Sequence, residues 1–423
     1  MGSISIGRNL ETGLWGLLVA CAVATFHLLA AAPLSGGALL GSMNFAFDLD
    51  PSLYVDRWCR AGGLAVDGSD RIVWGRHPAA LVVRPFCLGL VEAGFAPQRA
   101  AMILAATFAG LSAGGAFLFA RLIGLAMLNA LLGALCFALS AQPLFLGAIP
   151  ESFGLALVGI IGHFCLLARW ADRPFQPRGA AVASAVFNFG ITLTNGLLFA
   201  LSWLVMSVRR VRPAAWIRET ALTGAIAAGA LLALILALTA LYTPGVFEDP
   251  VRSAREFLWG VAIDNSEPAP PWRVLATFVV YDFVAPVFTV VPIESGAKQM
   301  LDFRGFSFAI SGMVAVAAWL GLLGLGTASA AADVERRRMW IVCALWLALN
   351  LLLHWQWQYR GSVWLYGAHS HFALFAVALA SLQPGLDPLR QRLARALLLL
   401  FLVSAGANNL DQYSALVETF RAP

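Results

Sequence analysis

The chain has 423 residues, of which 60% are hydrophobic and only 12% are charged. A soluble domain of this size has too little interior to bury so much apolar surface, so the composition indicates a protein embedded in lipid. The formal net charge is +5, but the sequence has neither a phosphate-binding glycine-rich loop nor a basic patch interleaved with aromatic residues. These absences exclude the usual nucleotide-binding and nucleic-acid-binding classes.

Apolar runs of about 15–25 residues recur along the whole sequence, and each approaches the length of a membrane-spanning helix. We therefore predict an all-α polytopic membrane protein with about eleven transmembrane helices. The first run is of spanning length, longer than the core of a cleaved signal peptide. The fifth and sixth runs are short and form either a helix pair broken at Asn195-Gly196 or a re-entrant hairpin. The predicted spans are residues 13–33, 99–119, 122–141, 152–169, 180–194, 196–208, 217–241, 306–328, 339–355, 364–381 and 395–409.

Arginine clusters set the predicted orientation, because cytoplasmic loops of membrane proteins are enriched in Lys and Arg. A cytoplasmic N-terminus places every cluster in a cytoplasmic loop and leaves two long, acid-rich loops outside, residues 34–98 and 242–305. Within the second, residues 274–293 are nearly apolar but contain Asp282 and two prolines, so we expect an interfacial or re-entrant segment. The cytoplasmic clusters are Arg121, Arg169/Arg173/Arg178, Arg209/Arg210/Arg212/Arg218, Arg336/Arg337/Arg338 and Arg390/Arg392/Arg395.

The segment from Met43 to Asp56 leaves the first span with the sequence MNFAFDLDPSLYVD. In an extended chain Asp48 and Asp50 would share one face, because side chains two residues apart point the same way. Paired carboxylates at the membrane surface serve as a general base or as ligands for Mg²⁺ or Mn²⁺, although no complete ligand set is visible. The structural alternative is an Asp-Pro-Ser turn that caps a helix beginning near Leu53. We predict Asp48 and Asp50 as catalytic residues and Asp56 as a substrate-binding residue.

Arg76, His77 and Arg84 follow in the same loop and are candidates for substrate binding. Arg84 lies in an apolar segment, where a cation usually pairs with an acid or a phosphate. A side chain that extends to the membrane surface is an equal alternative. Cys59 and Cys87 lie in the same loop and are able to pair in an oxidising compartment, which spacing alone does not decide.

A second cluster of polar and aromatic residues runs from His354 to His371. The rings fit an aromatic belt at the membrane surface, but Arg360, His369 and His371 add hydrogen-bond donors to that belt. Arg binds phosphate oxygens in a bidentate manner, so we predict that these three residues bind the phosphate of a lipid carrier. His369 and His371 are two residues apart, which does not let both bind one metal ion from a regular helix.

Two further predictions concern polar residues close to or within the spans. Glu151 precedes the fourth span, where a carboxylate interacts favourably with the helix dipole. His163, Asn188, Thr192 and Asn195 are isolated polar residues for which we expect hydrogen bonds between helices.

The motif Asp48-Leu49-Asp50, followed by Tyr54-Val55-Asp56, resembles the Asp-x-Asp region of mannosyltransferases in the GT-C superfamily of membrane glycosyltransferases. Arg76-His77-Pro78 is similar to the His-Pro that follows this loop in bacterial members. The resemblance implies that residues 1–423 form one transmembrane glycosyltransferase domain. It also implies that Asp48 or Asp50 deprotonates an acceptor hydroxyl, while Arg84, Arg360 or His369 stabilises the leaving phosphate.

The resemblance further implies a polyprenyl-phosphate-linked sugar donor and a glycan or lipid acceptor, with no nucleic acid as partner. The chain after Leu410 is short, so we expect a lipid, glycan or small acceptor rather than a large protein. Abundant alanine, and Lys298 as the only lysine, indicate a bacterial protein, hence one of the cytoplasmic membrane with its active site facing outward. The alternative function is a secondary transporter or flippase for an amphipathic or anionic solute, which typically has polar groups in broken helices.

Overall fold

The computed structural model describes residues 6–41, 45–60, 78–171, 173, 175–207, 211–242, 268–293, 298–356 and 362–421. Within these ranges the chain is mostly helical. The helices are α1 Ile6–Ala30, α2 Pro51–Cys59, α3 Pro78–Leu81, α4 Arg84–Glu92, α5 Pro97–Leu122, α6 Met127–Leu139, α7 Ala141–Leu146, α8 Ser152–Arg169, α9 Arg178–Ile191, α10 Leu193–Ser207, α11 Pro213–Tyr242, α12 Pro271–Ala276, α13 Ile310–Ala332, α14 Arg337–Gln356, α15 Ala368–Leu379 and α16 Pro388–Phe420.

Eight helices in the described ranges are long and apolar enough to cross a membrane: α1, α5, α8, α11, α13, α14, α16, and α15 with the 3-10 turns that flank it. This agrees with a polytopic helical membrane protein. The three remaining predicted spans coincide with the shorter helices α6, α9 and α10. The break expected at Asn195-Gly196 lies instead at Thr192, whose backbone is extended between α9 and α10. The eleven-span count and the orientation stay predictions.

Small residues let α1 pack closely along α5. A Cβ atom on Gly114 would lie 2.7 Å from the carbonyl oxygen of Gly16, and one on Gly110 would overlap the carbonyl of Ala20. Such contacts between backbones are the usual way in which apolar helices associate in lipid, where water does not drive them together. The Gly-x-x-x-Gly pattern of α5 therefore serves packing.

Polar residues inside the helical bundle are bonded between helices. His163 on α8 lies between Ser184 on α9 and Ser202 on α10, with 2.8 Å from each ring nitrogen to a hydroxyl oxygen. Ser202 donates its own proton to the carbonyl of Phe199, so it accepts from Nε2 of His163, and Nδ1 accepts from Ser184. This confirms the expected interhelical hydrogen bonding for His163.

The second long loop also contains a short β-hairpin, whereas the described chain as a whole is mostly helical, consistent with an all-α membrane protein. Strands β1 Thr289–Ile293 and β2 Lys298–Asp302 form an antiparallel hairpin. Before it, α12 continues as one π turn, Thr277–Tyr281, and residues 282–288 run without regular structure. Phe283, Val284 and Ala285 in this stretch are fully buried, as the re-entrant alternative expects.

Two asparagines of α16 provide the hydrogen bonds that this buried, non-helical backbone cannot make itself. Asn409 donates to the carbonyls of Leu139 and Phe283 and accepts from the amide of Ala285, all at 2.8 Å. Asn408 donates to the carbonyl of Ala285 at 2.8 Å. We call these two side chains the Asn408–Asn409 clamp. Buried backbone groups without a partner each cost about 1–3 kcal/mol, so the clamp is what makes this segment stable in an apolar interior.

Cys59 and Cys87 form a disulfide bond that joins the end of α2 to α4. Cys21, Cys136, Cys165 and Cys343 are free. Disulfides persist mainly in oxidising compartments. The bond therefore agrees with the predicted extracytoplasmic position of the first loop.

We expect thiol labelling to detect this disulfide. Denatured, unreduced protein should take up four maleimide mass tags, one for each free cysteine, and six after reduction. Cys59→Ser should take up five tags without reduction, whereas the control Cys21→Ser should take up three. Closing a loop with a sequence separation of 28 contributes about 3–4 kcal/mol in the chain-entropy description, so Cys59→Ser should also unfold at lower temperature. Six tags on unreduced wild-type protein would contradict the bond.

Replacing Asn409 should test the clamp. Asn409→Leu removes the side-chain partner of the Ala285 amide and of the Leu139 carbonyl, so we expect a loss of about 2–3 kcal/mol, measured by thermal unfolding in detergent. Asn350→Leu is the matched control, because Asn350 is equally buried and, within the described part of the chain, bonds only to the carbonyl of Trp346 one turn earlier in its own helix. If the two variants lost the same stability, the hydrogen bonds of the clamp would contribute no more than that of an ordinary buried asparagine.

Candidate active site

The Asp-x-Asp motif lies in a short loop that attaches to the hairpin of the second loop. The amide of Phe47 donates to the carbonyl of Leu301 at 2.8 Å, and the amide of Leu301 donates to the carbonyl of Phe45 at 2.9 Å. Phe47 and Asp48 both have φ of 56°, the left-handed region that non-glycine residues rarely occupy. Asp48 and Asp50 therefore do not alternate along an extended strand, and the geometry expected for one does not occur.

Aromatic packing holds this unfavourable backbone in place. The ring of Phe47 is fully buried and its centroid lies 4.4 Å from that of Trp364 and 4.7 Å from that of Phe303. Phe145 and Phe288 complete the cluster at 5.6 and 5.7 Å. Left-handed conformations outside glycine persist where the surroundings impose them, and they concentrate at functional sites. The cluster thus fixes the position of the Asp48–Asp50 turn.

Asp50 and Glu151 form the centre of the site. Asp50 stands at the N-cap position of α2 without a side-chain capping bond, so the capping role that we considered does not occur. Its amide donates to Oε2 of Glu151 at 3.2 Å. The other oxygen of Glu151, Oε1, accepts from the amide of Ser152 at 2.8 Å and caps α8. The N-cap residues of two helices, Asp50 of α2 and Glu151 of α8, therefore lie next to each other, joined by the backbone amide of Asp50.

The protonation of Glu151 is strongly shifted by this environment. Burial, and next the negative charge of Asp50, raise the pKa of Glu151 to about 7, although the amides of Ser152 and Asp50 oppose the shift. A carboxyl group with a pKa near neutral exchanges its proton at working pH, as a general acid or base must. Because the two carboxylates interact, they titrate as a pair.

Neighbouring polar groups support the pair. The hydroxyl of Tyr54 donates to Oγ of Ser152 at 3.0 Å, and Oγ of Ser152 donates to Oε1 of Glu151 at 3.2 Å. The guanidinium of Arg57 lies 5.9 Å from the ring centre of Tyr54. This chain of contacts fixes the orientation of Glu151 from the side of α2.

Aromatic rings and imidazoles lie next to Phe153, the second residue of α8. The ring of Phe153 contacts His369 and Tyr366 edge-on, with centroids 5.4 and 6.1 Å apart. His354 stacks on Tyr366 at 4.3 Å and lies parallel to His369 at 6.2 Å. The N-terminus of α8 thus connects Asp50, through Glu151 and Phe153, with the predicted residue His369.

His371, also predicted, lies elsewhere. Its Nε2 is 3.0 Å from Oγ of Ser140, and its ring stacks on that of Phe283 with centroids 4.2 Å apart. Ser140 donates its own proton to the carbonyl of Phe137, so Nε2 of His371 is the donor and its Nδ1 carries no proton. The side chain is fully buried against the non-helical stretch rather than beside the carboxylate pair.

The other predicted residues have separate positions. The guanidinium of Arg84 donates to the carbonyls of Arg57 and Arg60, the latter at 2.8 Å, and so closes the C-terminus of α2. Asp56 pairs with Arg60 at 2.9 Å, one turn along the same helix. The remaining three lie outside the described residues, and their phosphate contacts stay predictions: Arg76, His77 and Arg360.

A third carboxyl group, Asp282, lies at the start of the non-helical stretch. It is fully buried, and among the described residues neither of its oxygens has a hydrogen-bond partner. Gly367 lies against it so closely that a Cβ atom there would overlap both oxygens. Burial raises the pKa of Asp282 well above its ordinary value.

The sequence predicted first of all a helix-dipole role for Glu151, with a functional role as the alternative, and its side chain does cap α8. Its partnership with Asp50 was missed, as were the positions of Tyr54 and His354 beside the site. The sequence contained one indication that Glu151 lies near Asp50: the predicted topology places the start of α8 and the Asp48–Asp50 loop at the same membrane surface.

Metal ligation by the site is limited to oxygen atoms. In the described part of the chain, no group of three or more His, Cys, Asp or Glu side chains is arranged to hold a metal ion. Asp50 and Glu151 would supply the carboxylate oxygens that Mg²⁺ or Mn²⁺ prefers.

No protein-family model and no curated protein matches this chain.

The raised pKa of Glu151 predicts a specific dependence of stability on pH. An unfolded chain releases this proton near the ordinary value of 4.5, while the folded protein holds it to about 7. Stability should therefore fall as pH rises from 4.5 to 7, and Glu151→Gln should remove this fall. We expect Glu151→Gln to match wild type at pH 4 and to exceed it by about 3 kcal/mol at pH 8, measured by thermal unfolding in detergent.

Asp56→Asn provides the control, because it removes a half-buried carboxylate whose ion pair stands apart from the pair of Asp50 and Glu151. Its effect should stay within about 1 kcal/mol, and the variant should keep the fall in stability that Glu151 causes. Parallel pH profiles for wild type and Glu151→Gln would show that Glu151 titrates normally.

Proposed function

We propose that the protein is a membrane glycosyltransferase that moves a sugar from a polyprenyl-phosphate donor to a glycan or lipid acceptor at the extracytoplasmic face. The observation that carries the proposal is the pairing of Asp50, from the Asp-x-Asp motif, with Glu151, whose pKa is close to 7. A carboxylate base is what the attack of a sugar hydroxyl requires. The disulfide between Cys59 and Cys87 supports an oxidising location for this loop.

In this proposal Asp50 takes the proton of the acceptor hydroxyl. Asp50 is partly exposed, so an acceptor can reach it, whereas Glu151 is buried. The acceptor oxygen forms a bond to the anomeric carbon as the bond from that carbon to the phosphate oxygen breaks. The electron pair leaves with the lipid phosphate. Glu151 acts as a positioning residue, because it fixes the Asp50 backbone and adjusts the charge of the pair.

The departing phosphate carries negative charge that needs stabilisation more than a proton. His369, beside the rings of Phe153 and His354, is the predicted phosphate-binding residue whose position adjoins the pair. Asp48 follows Phe47 in the constrained turn and is buried. In this proposal it helps to position Asp50, two residues further along the chain. Arg76, His77, Arg84 and Arg360 remain predicted contacts of the donor.

One observation favours a second candidate, a secondary transporter or flippase. Transporters bind their coupling ions at buried polar groups beside interrupted helices. Asp282 is such a group, since it is buried without a hydrogen-bond partner among the described residues and begins a non-helical stretch. The glycosyltransferase gives a role to Asp50 and Glu151, whereas the transporter gives a role to Asp282.

Mass spectrometry of envelope glycans and lipid-linked sugars should separate the two candidates. The strains are wild type, a deletion, Asp50→Asn and the control Glu92→Gln, which removes an exposed carboxylate at the end of α4. We expect a glycan that lacks one sugar, together with accumulation of one lipid-phosphate sugar, in the deletion and in Asp50→Asn. Loss of a general base lowers turnover by about 10²–10⁴-fold, so Asp50→Asn should resemble the deletion, and Glu92→Gln should resemble wild type.

Unchanged glycan and carrier pools in the deletion would remove the transferase and leave transport. A normal glycan in Asp50→Asn, with the defect present in the deletion, would keep the transferase and exclude Asp50 as its base.

A further inference from the structure

A groove of about 450 Å³ runs between α13, α14 and α15. Its volume lies in the range of small-ligand pockets, about 300–1,000 Å³. Small side chains, such as Ala330, Ala344 and Ala373, leave the space open. Since α13 packs mainly along α16 and α15 rather than along α14, the two consecutive helices leave a gap that no side chain of the described part fills.

The groove has the length of a hydrocarbon chain. It extends along α14 from Arg337 to Leu347, which corresponds to about 15 Å at 1.5 Å per residue. The walls between these residues are almost entirely apolar, with Thr327 as the main polar group. Thr327 donates its hydroxyl proton to the carbonyl of Leu323 in its own helix. The proton of this hydroxyl is therefore already used within the helix.

A cation stands at one end of the groove. Of the three consecutive arginines before and within α14, Arg336 pairs with Asp333 at 3.7 Å and Arg338 donates to the carbonyl of Val205 at 2.6 Å. Arg337 lines the groove, is exposed, and has no hydrogen-bond or ionic partner among the described residues. The protein thus uses two of the three guanidinium groups internally and directs the third to the groove entrance.

We infer that this groove binds one chain of an anionic membrane phospholipid whose phosphate pairs with Arg337. The ligand class follows from the combination of an apolar channel of chain length with a guanidinium at its mouth, because Arg binds phosphate oxygens in a bidentate manner. Val279 also lines the groove, and its carbonyl accepts from Trp319 at 2.7 Å. A bound chain therefore contacts the π turn Thr277–Tyr281 that leads into the non-helical stretch.

Native mass spectrometry of the full-length protein tests the inference, with phosphatidylglycerol and phosphatidylcholine as probes in the same detergent. Wild type should retain one phosphatidylglycerol molecule under conditions that remove phosphatidylcholine. Arg337→Gln should weaken this retention about five-fold, the effect of one Arg at a membrane surface. Ala344→Phe should block it by filling the groove. The controls are Arg392→Gln, an exposed arginine outside the groove, and Leu345→Phe, on α14 but not in its lining.

Retention that is equal for the two lipids, or unchanged in Arg337→Gln, would overturn the inference. Thermal unfolding without added lipid shows whether Ala344→Phe is folded. If it is not, the comparison of Arg337→Gln with Arg392→Gln decides, because both residues are exposed. Bound lipid is the readout, so the result is independent of whether the protein transfers sugars.

Discussion

The fold depends on how one stretch of non-helical backbone obtains its hydrogen bonds inside an apolar protein. Residues 282–288 leave the preceding π turn, to which only the amides of the first three still bond, and the neighbouring side chains are largely hydrocarbon. The Asn408–Asn409 clamp supplies partners for the amide of Ala285 and for the carbonyls of Phe283 and Ala285. Because irregular backbone at this depth is tolerated only when protein groups satisfy it, α16 and the second loop are stable only together.

The candidate site is built on that arrangement. The non-helical stretch leads into the hairpin, the hairpin binds the backbone of Phe47, and the aromatic cluster holds Phe47 and Asp48 in their left-handed conformation. Asp50 follows directly and meets Glu151 at the start of α8. Each contact in this series is a hydrogen bond or a packed aromatic ring. The geometry of the Asp50–Glu151 pair therefore depends on residues that lie far from it. Preorganisation of this kind is what catalytic groups require.

Features that depend on local sequence were predictable, and features that depend on distant contacts were not. Run length and hydrophobicity predict a membrane helix because each helix satisfies its own backbone, and α9 and α10 agree with expectation to within a few residues. The pairing of Asp50 with Glu151 joins positions 101 residues apart, and no local pattern records it. The hairpin was missed because its residues, such as Val290 and Val291, belong to an apolar run that looks helical or interfacial. The left-handed Phe47 was missed because tertiary packing overrides backbone preference.

The clamp also has a consequence for the order in which the protein is made. Asn408 and Asn409 are synthesised more than 120 residues after the backbone groups that they bind, at separations of 123 and 124 positions. Until the last helix emerges from the ribosome, the stretch around Ala285 has acceptors and donors that only water is able to satisfy. The second loop must therefore wait at the aqueous surface during translation, and its burial is a late event that α16 completes.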